Sequence, residues 1–245
     1  MQSGDGLLKS VGDALENFSR DPVAFMVPTL LYPIMMLITL GAFSGVMLIA
    51  FLLLTVLKLG GDITIYALGA LGALLLFIYS ILSAGYKGAM VSEYNNATEQ
   101  REVGLSHYIN YATANCGALF VISLVKMVVV GFVVMPFILL YYFLLSGLWD
   151  GWTYLLGALW LMLLFFMEFL FSFSFTAYVV RKVSPITALI IGFNFVREKN
   201  VKALLVYAFY ALVFATTLIP IVNLVAYPVF YPIAYTSLIL FFKGR

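Results

Sequence analysis

Residues 152–180 read WTYLLGALWLMLLFFMEFLFSFSFTAYVV, a run broken by one charged side chain, Glu168. The hydrocarbon core of a bilayer is about 30 Å thick and needs about 20 helical residues to cross it. This run is long enough to do so. It is one of several. Apolar blocks also cover residues 22–59, 63–90, 117–147, 201–219 and 224–242. The last two would be continuous but for Ile219-Pro220-Ile221-Val222-Asn223, which supplies a turn. Block 22–59 opens on Pro22, Pro28 and Pro33 and reads as one crossing with a Pro-rich lead-in, a tight hairpin being the alternative.

The composition agrees. Of 245 residues, 64% are hydrophobic and 10% charged, and the mean hydropathy is +1.08. Soluble domains run at about 45–50% apolar and about 25% charged, so a soluble enzyme is excluded. The expected fold is all-α: one polytopic membrane domain over 1–245, with 1–21 as an interfacial amphipathic segment and 22–245 as a bundle of about six transmembrane helices. Residues 1–21 have no continuous apolar run, so no cleavable signal peptide is expected.

Basic residues give the orientation. With six spans and the N-terminus inside, about eleven of the 13 Lys and Arg residues fall on the cytoplasmic side, Lys87 among them, as the positive-inside rule predicts. Lys58 is then outside and Lys126 within a span. Trp149 and Trp152, flanking Asp150, suit an interfacial aromatic anchor. Both termini are expected in the cytoplasm and the protein in the cell membrane.

Three cytoplasmic segments share a pattern: Asn17-Phe18, Asn110-Tyr111 and Asn194-Phe195 each precede a polar stretch and then a span. In the first, Leu7, Leu8, Val11, Leu15 and Phe18 fall on one helical face. The third opens on Ser184-Pro185, a Ser N-cap with Pro at the first helical position. One reading is three repeated units, each a surface helix followed by a membrane hairpin. The other is that interfacial linkers converge on similar composition.

Segment 180–205 combines the end of a span with Arg181-Lys182-Val183-Ser184-Pro185, Ala188-Leu189, Asn194, Arg197 and Asn200, and the N-terminal part has Asp21-Pro22 followed by Pro28. In these features the chain resembles a broad group of uncharacterised six-helix membrane proteins of archaea and bacteria. That group is itself similar to the membrane domain attached to some bacterial glycerophosphodiester phosphodiesterases. The resemblance implies a fold and membrane association. It carries over no catalytic residue, because the phosphodiesterase domain and its metal-binding acids have no counterpart in this sequence.

The counts also restrict chemistry. One His (His107) and one Cys (Cys116) cannot make a structural zinc site within one chain. About nine residues apart, they would lie on opposite sides of a helix. No nucleotide-loop, nucleophile-elbow or zinc-protease motif occurs, and net charge +2 with charges this sparse does not point to nucleic acid. No catalytic residue, metal or cofactor is expected.

Glu168 is the sharpest feature. A carboxylate at mid-membrane costs about 2.5–3.5 kcal/mol on insertion scales, so it faces the protein interior. Ser172 and Thr176 follow at one-turn steps, forming a polar stripe. The site is either an ion or proton site or a hydrogen-bonded acid that holds helices together. Lys126 is its expected partner, differing in height by about 7 Å, although snorkelling to the headgroups is favoured for Lys126.

Tyr227, Tyr231 and Tyr235 repeat along the last span, which Pro228 and Pro232 interrupt, and Tyr207, Tyr210, Phe214 and Thr217 form a second stripe. They line a polar cavity or make a kinked aromatic packing face. Gly69, Ala73, Ser80, Ala84 and Gly88, and the Gly41–Gly45 pair, allow close helix approach, within the chain or between copies. Cys116 reads as a small packing residue and His107 as a solvated surface side chain. Arg181, Lys182, Arg197, Lys199 and Lys202 can attract anionic headgroups.

The expected function is therefore that of a non-enzymatic membrane scaffold or lipid-interacting domain. Its partners would be membrane lipids, and another membrane protein or a second copy is a further option. The alternative is a small ion, proton or solute transporter or channel using Glu168.

Overall fold

The computed structural model describes residues 5–57, 61–140, 151–217, 223 and 226–244. Every regular element among them is helical: α1 (Asp5–Arg20), α2 (Pro22–Val56), α3 (Gly61–Thr98), α4 (Leu105–Leu140), α5 (Gly151–Arg181) and α6 (Pro185–Thr217). A π-helical turn, Ala226–Phe230, leads into α7 (Tyr231–Lys243). α2, α3 and residues Leu105–Val133 of α4 are each long and apolar enough to cross a membrane. Lys58, Trp149, Asp150 and the turn at 219–222 lie outside the described residues.

Local chemistry sets the helix breaks. Asp21 separates α1 from α2: its carboxylate accepts from the Ala24 amide at 3.1 Å, and Pro22 opens α2. Pro28 and Pro33 lie inside α2, so block 22–59 contains one long helix and no hairpin. Ser184 caps α6 as its sequence implies, accepting from the Thr187 amide at 3.3 Å. In the last apolar block, a π-helical turn precedes the α-helix among the described residues. Pro228 falls in the π-helical turn and Pro232 in the first turn of α7, where a missing N–H is tolerated.

The other two Asn-aromatic segments differ from the first. Residues 105–116 and 185–200 continue unbroken into the apolar parts of α4 and α6. No Asp-Pro pair interrupts them, and Asn115 donates back to the Tyr111 carbonyl at 3.1 Å within its own helix. α1 alone is a separate surface helix. It packs on α7, buries Ser10 and Ala14, and leaves Leu8 and Leu15 exposed.

The core sits where α3, α5 and α7 converge. Residues 84–96 (Lys87 apart), 169–177 (Leu170 apart) and 231–239 are continuously buried. Those three helices contact one another, while α2, α4 and α6 lie outside them. α3 packs along α4, α5 along α6, and α7 along α1. α3, α5 and α7 finish at one end of the bundle. There the Lys243 Nζ donates to Glu99 at 2.8 Å, and the Arg181 guanidinium lies 5.1 Å from the Phe242 ring centre. We call this the basic end.

Two glycines set the helix spacing. A Cβ on Gly85 would stand 2.7 Å from the Ala112 carbonyl oxygen and 2.9 Å from Cys116 Cβ, so α3 and α4 touch there backbone to backbone. Gly192 does the same for α6 against α5, where a Cβ would stand 2.8 Å from the Ser174 backbone nitrogen and 2.5 Å from its Oγ. Gly88 fits beneath Leu119, whereas Gly41, Gly45 and Gly69 have no atom within 4 Å of such a Cβ. Only one glycine of the expected small-residue stripe, Gly88, therefore meets a neighbouring helix.

Candidate functional site: a buried ion triad in a central cavity

Each converging helix brings polar groups to a similar depth. Lys87, Glu168 and Tyr231 lie about eleven to thirteen residues before the ends of α3, α5 and α7, or roughly 17–20 Å at 1.5 Å per residue. All three line one cavity of about 700 Å³. α4 adds Ser123 and Lys126, α6 adds Tyr210, and the π-helical turn adds Tyr227.

Glu168 holds the cavity together. One carboxylate oxygen accepts from Lys87 and the other from Lys126, so a single acid bridges α3, α4 and α5. Side-chain exposure is 25% for Glu168, 17% for Lys87 and 27% for Lys126. Lys87 Nζ also lies 5.2 Å from the centre of the Phe175 ring, a cation–π contact. Two cations face one anion, so the triad carries one net positive charge when all three are ionised. An unpaired charge removed from water costs several kcal/mol.

Two sequence expectations change at this site. Lys126 does not snorkel: its ammonium turns inward to Glu168. Lys87, counted above only among the cytoplasmic charges, lies within α3, three residues beyond the small Ala84, and is a second partner of Glu168. The signal for Lys87 was present in its setting, Ser83-Ala84-Gly85-Tyr86-Lys87-Gly88-Ala89, where a lysine is flanked by small residues rather than by polar ones.

The other expected residues separate. Tyr227 and Tyr231 line the cavity, their rings stacked with centroids 5.3 Å apart, and the Tyr231 and Tyr210 hydroxyls meet at 3.4 Å. Tyr235 is fully buried beside them. Ser172 and Thr176 are buried too, but their hydroxyls donate to the carbonyls of Glu168 and Ser172, one turn back on their own helix. They serve the helix and do not line the cavity. The side chains of Tyr207, Phe214 and Thr217 lie outside the described residues.

A second, polar cavity of about 410 Å³ lies at the basic end. Asn95, Asn96, Arg101, His107, Asn115 and Lys182 are among its lining residues. His107 is no freely solvated side chain: its Nδ1 pairs with Glu93, whose side chain is 1% exposed against 48% for His107. Glu99 pairs with both Arg101 and Lys243. The hydrogen bond from Lys243 is the main cause that holds its carboxyl below the ordinary carboxylate range. Of the expected headgroup-binding residues, Lys182 lines this cavity, and Arg181 stacks on Phe242 instead. Arg197, Lys199 and Lys202 line neither cavity. Cys116 packs where α3 meets α4, and its thiol donates to the Thr113 carbonyl.

Among the described residues no three His, Cys, Asp or Glu side chains come together to hold a metal ion. No known family, no curated protein and no solved structure matches this chain.

Proposed function

We propose that this chain is a non-enzymatic, multi-pass membrane protein that binds a small solute or ion inside the bilayer and carries it across. The observation behind this reading is the Lys87–Glu168–Lys126 triad, which lines a cavity instead of lying in a dry helix contact. An intramembrane ionisable cluster open to a cavity marks an ion or substrate path by default. The π-helical turn that carries Tyr227 to the cavity is a second support, since such turns frequently occur at functional sites.

The layout that goes with it has six spans, with both termini and the basic end in the cytoplasm. The resemblance of segment 180–205 to six-helix membrane proteins supports this count. The chain is three copies of one unit. Phe18, Tyr111 and Phe195, the aromatics of the three Asn-aromatic pairs, all pack toward the core. The contacts α3–α4, α5–α6 and α7–α1 follow the same order around a ring, the last closing it. Parallel repeats of this kind place their shared axis along the membrane normal.

A lipid-interacting scaffold is the second reading. It is favoured by the polar cavity at the basic end, where Arg101 and Lys182 would meet a headgroup.

The test is flux into proteoliposomes containing the folded protein, with ion- and proton-sensitive dyes. Transport predicts flux above that of empty liposomes, lost in Glu168→Gln. Folded protein that passes none of the tested ions would remove the transport reading and leave the scaffold.

A further inference from the structure

The charge balance of the central cavity identifies what it would hold, provided that the cavity is a binding site as proposed. We infer that the cavity binds a single monoanionic oxyanion, with Lys126 as its main cation. The anion is either the phosphodiester of a lipid headgroup or a free phosphate of the same charge.

The two lysines are not equivalent. Lys87 is the more buried, and its ammonium is engaged twice, by Glu168 and by the Phe175 ring. Lys126 is more exposed and has one bonded partner among the described residues, Glu168. An ammonium has three donors, so Lys126 has two left to offer. Lys87 and Glu168 balance each other, and the surplus charge of the triad belongs to Lys126. Hydroxyl donors that suit oxyanion oxygens line the same cavity: Ser83, Ser123, Tyr79 and Tyr227. One monoanion would bring the site to neutrality.

The cavity is also placed for an amphiphile. Met127, next to Lys126, lines it and is 58% exposed, among the outward-facing Leu124, Val128 and Phe132. The rim therefore opens on the apolar surface of α4. Met90, Val130 and Phe175 supply apolar walls for the first carbons of a chain attached to the anion.

The experiment uses the full chain in phosphatidylcholine nanodiscs with two anionic probes. One arm adds phosphatidylglycerol and counts protein carrying one such lipid by native mass spectrometry. The other measures equilibrium binding of radiolabelled inorganic phosphate. A third arm offers dodecyltrimethylammonium, a cation with a similar tail. The expected result is saturable binding of at least one anion, weakened about tenfold or more in Lys126→Met and retained in Lys126→Arg. Binding by the lipid alone identifies a headgroup site, and binding by phosphate identifies a free-anion site. Either supports the inference. Equal binding by wild type and a folded Lys126→Met protein would overturn it, because the anion would then sit on surface cations. Preference for the cationic probe would overturn it while leaving the cavity a binding site. Binding of none of the three overturns both the anion assignment and the cavity reading. Should Lys126→Met fail to fold, Lys126→Gln takes its place.

Discussion

α3 carries two inward-facing charged groups about six residues, or roughly 9 Å, apart, and they are handled differently. Lys87, deep in the bundle, shares Glu168 with Lys126, so three helices meet at one acid and a positive charge is left over. Glu93, near the basic end, is paired by one half-exposed imidazole, His107, from the start of α4. At the shallow pair, the partner imidazole is itself half exposed to solvent. At the deep triad, three charges share one cavity and one positive charge is left over, which a bound anion would balance. Position along one helix thus separates a simple pair from a triad with one cation to spare.

The contrast is broken most severely by removing the shared acid. Glu168→Gln leaves two facing ammonium groups in a poorly solvated cavity, and loss of a partner from a buried pair costs about 3–5 kcal/mol. Thermal unfolding in nanodiscs should show a larger drop for this variant than for any change at Gly85, His107 or Lys243, with part of it recovered by anionic lipid. Next in size is Gly85→Leu, which drives a side chain into the Ala112 carbonyl and Cys116. Overpacking of this kind costs about 1–3 kcal/mol. Because α3 carries both charged groups, separating α3 from α4 should weaken triad and shallow pair together, read as a lower unfolding midpoint and faster amide exchange in both helices.

His107→Ala acts on the shallow site alone. It leaves Glu93 buried without its imidazole, a loss of about 1–3 kcal/mol, and the cost should shrink in the double variant with Glu93→Gln. The smallest effect belongs to Lys243→Met. Glu99 has a lowered folded-state pKa, so its stabilising contribution is full above the ordinary carboxylate pKa and is lost as pH falls through the lower folded value. Solvent screening keeps it to about 1 kcal/mol or less. In Lys243→Met that acid-side slope should flatten, with stability above neutral pH reduced only slightly.

Much of this arrangement was readable from residue order. The helical class followed from apolar runs too long for anything else, and the α1–α2 break followed from Asp21-Pro22. Glu168 was conspicuous because nothing charged surrounds it. Lys126 does fall within an apolar helix long enough to cross a membrane, but its direction was not legible. A lysine near the edge of an apolar block can reach out or in, and only the facing helix decides. The pairing of Lys87 is illegible for a related reason: near the end of apolar block 63–90 and close to polar residues 92–101, it counts simply as one of the cytoplasmic charges. The length of α3 in fact carries it below the basic end. The spacing of α3 and α4 depends on Gly85, which no periodicity marks out. The continuity of α4 and α6 through their polar segments was equally hidden, since amphipathic and apolar stretches join without a break when no Pro intervenes.

The triad holds one surplus cation if Lys126 is the lysine that Glu168 can spare. The most direct measurement is the unfolding midpoint of Lys126→Met beside that of Glu168→Gln, in the same zwitterionic nanodiscs. Lys126→Met should stay within about 1 kcal/mol of wild type, because Lys87 still pairs with Glu168, while Glu168→Gln falls by about 3–5 kcal/mol. Equal losses in the two variants would contradict it, for then Lys126 would be an integral half of a balanced pair and no charge would be left for a ligand.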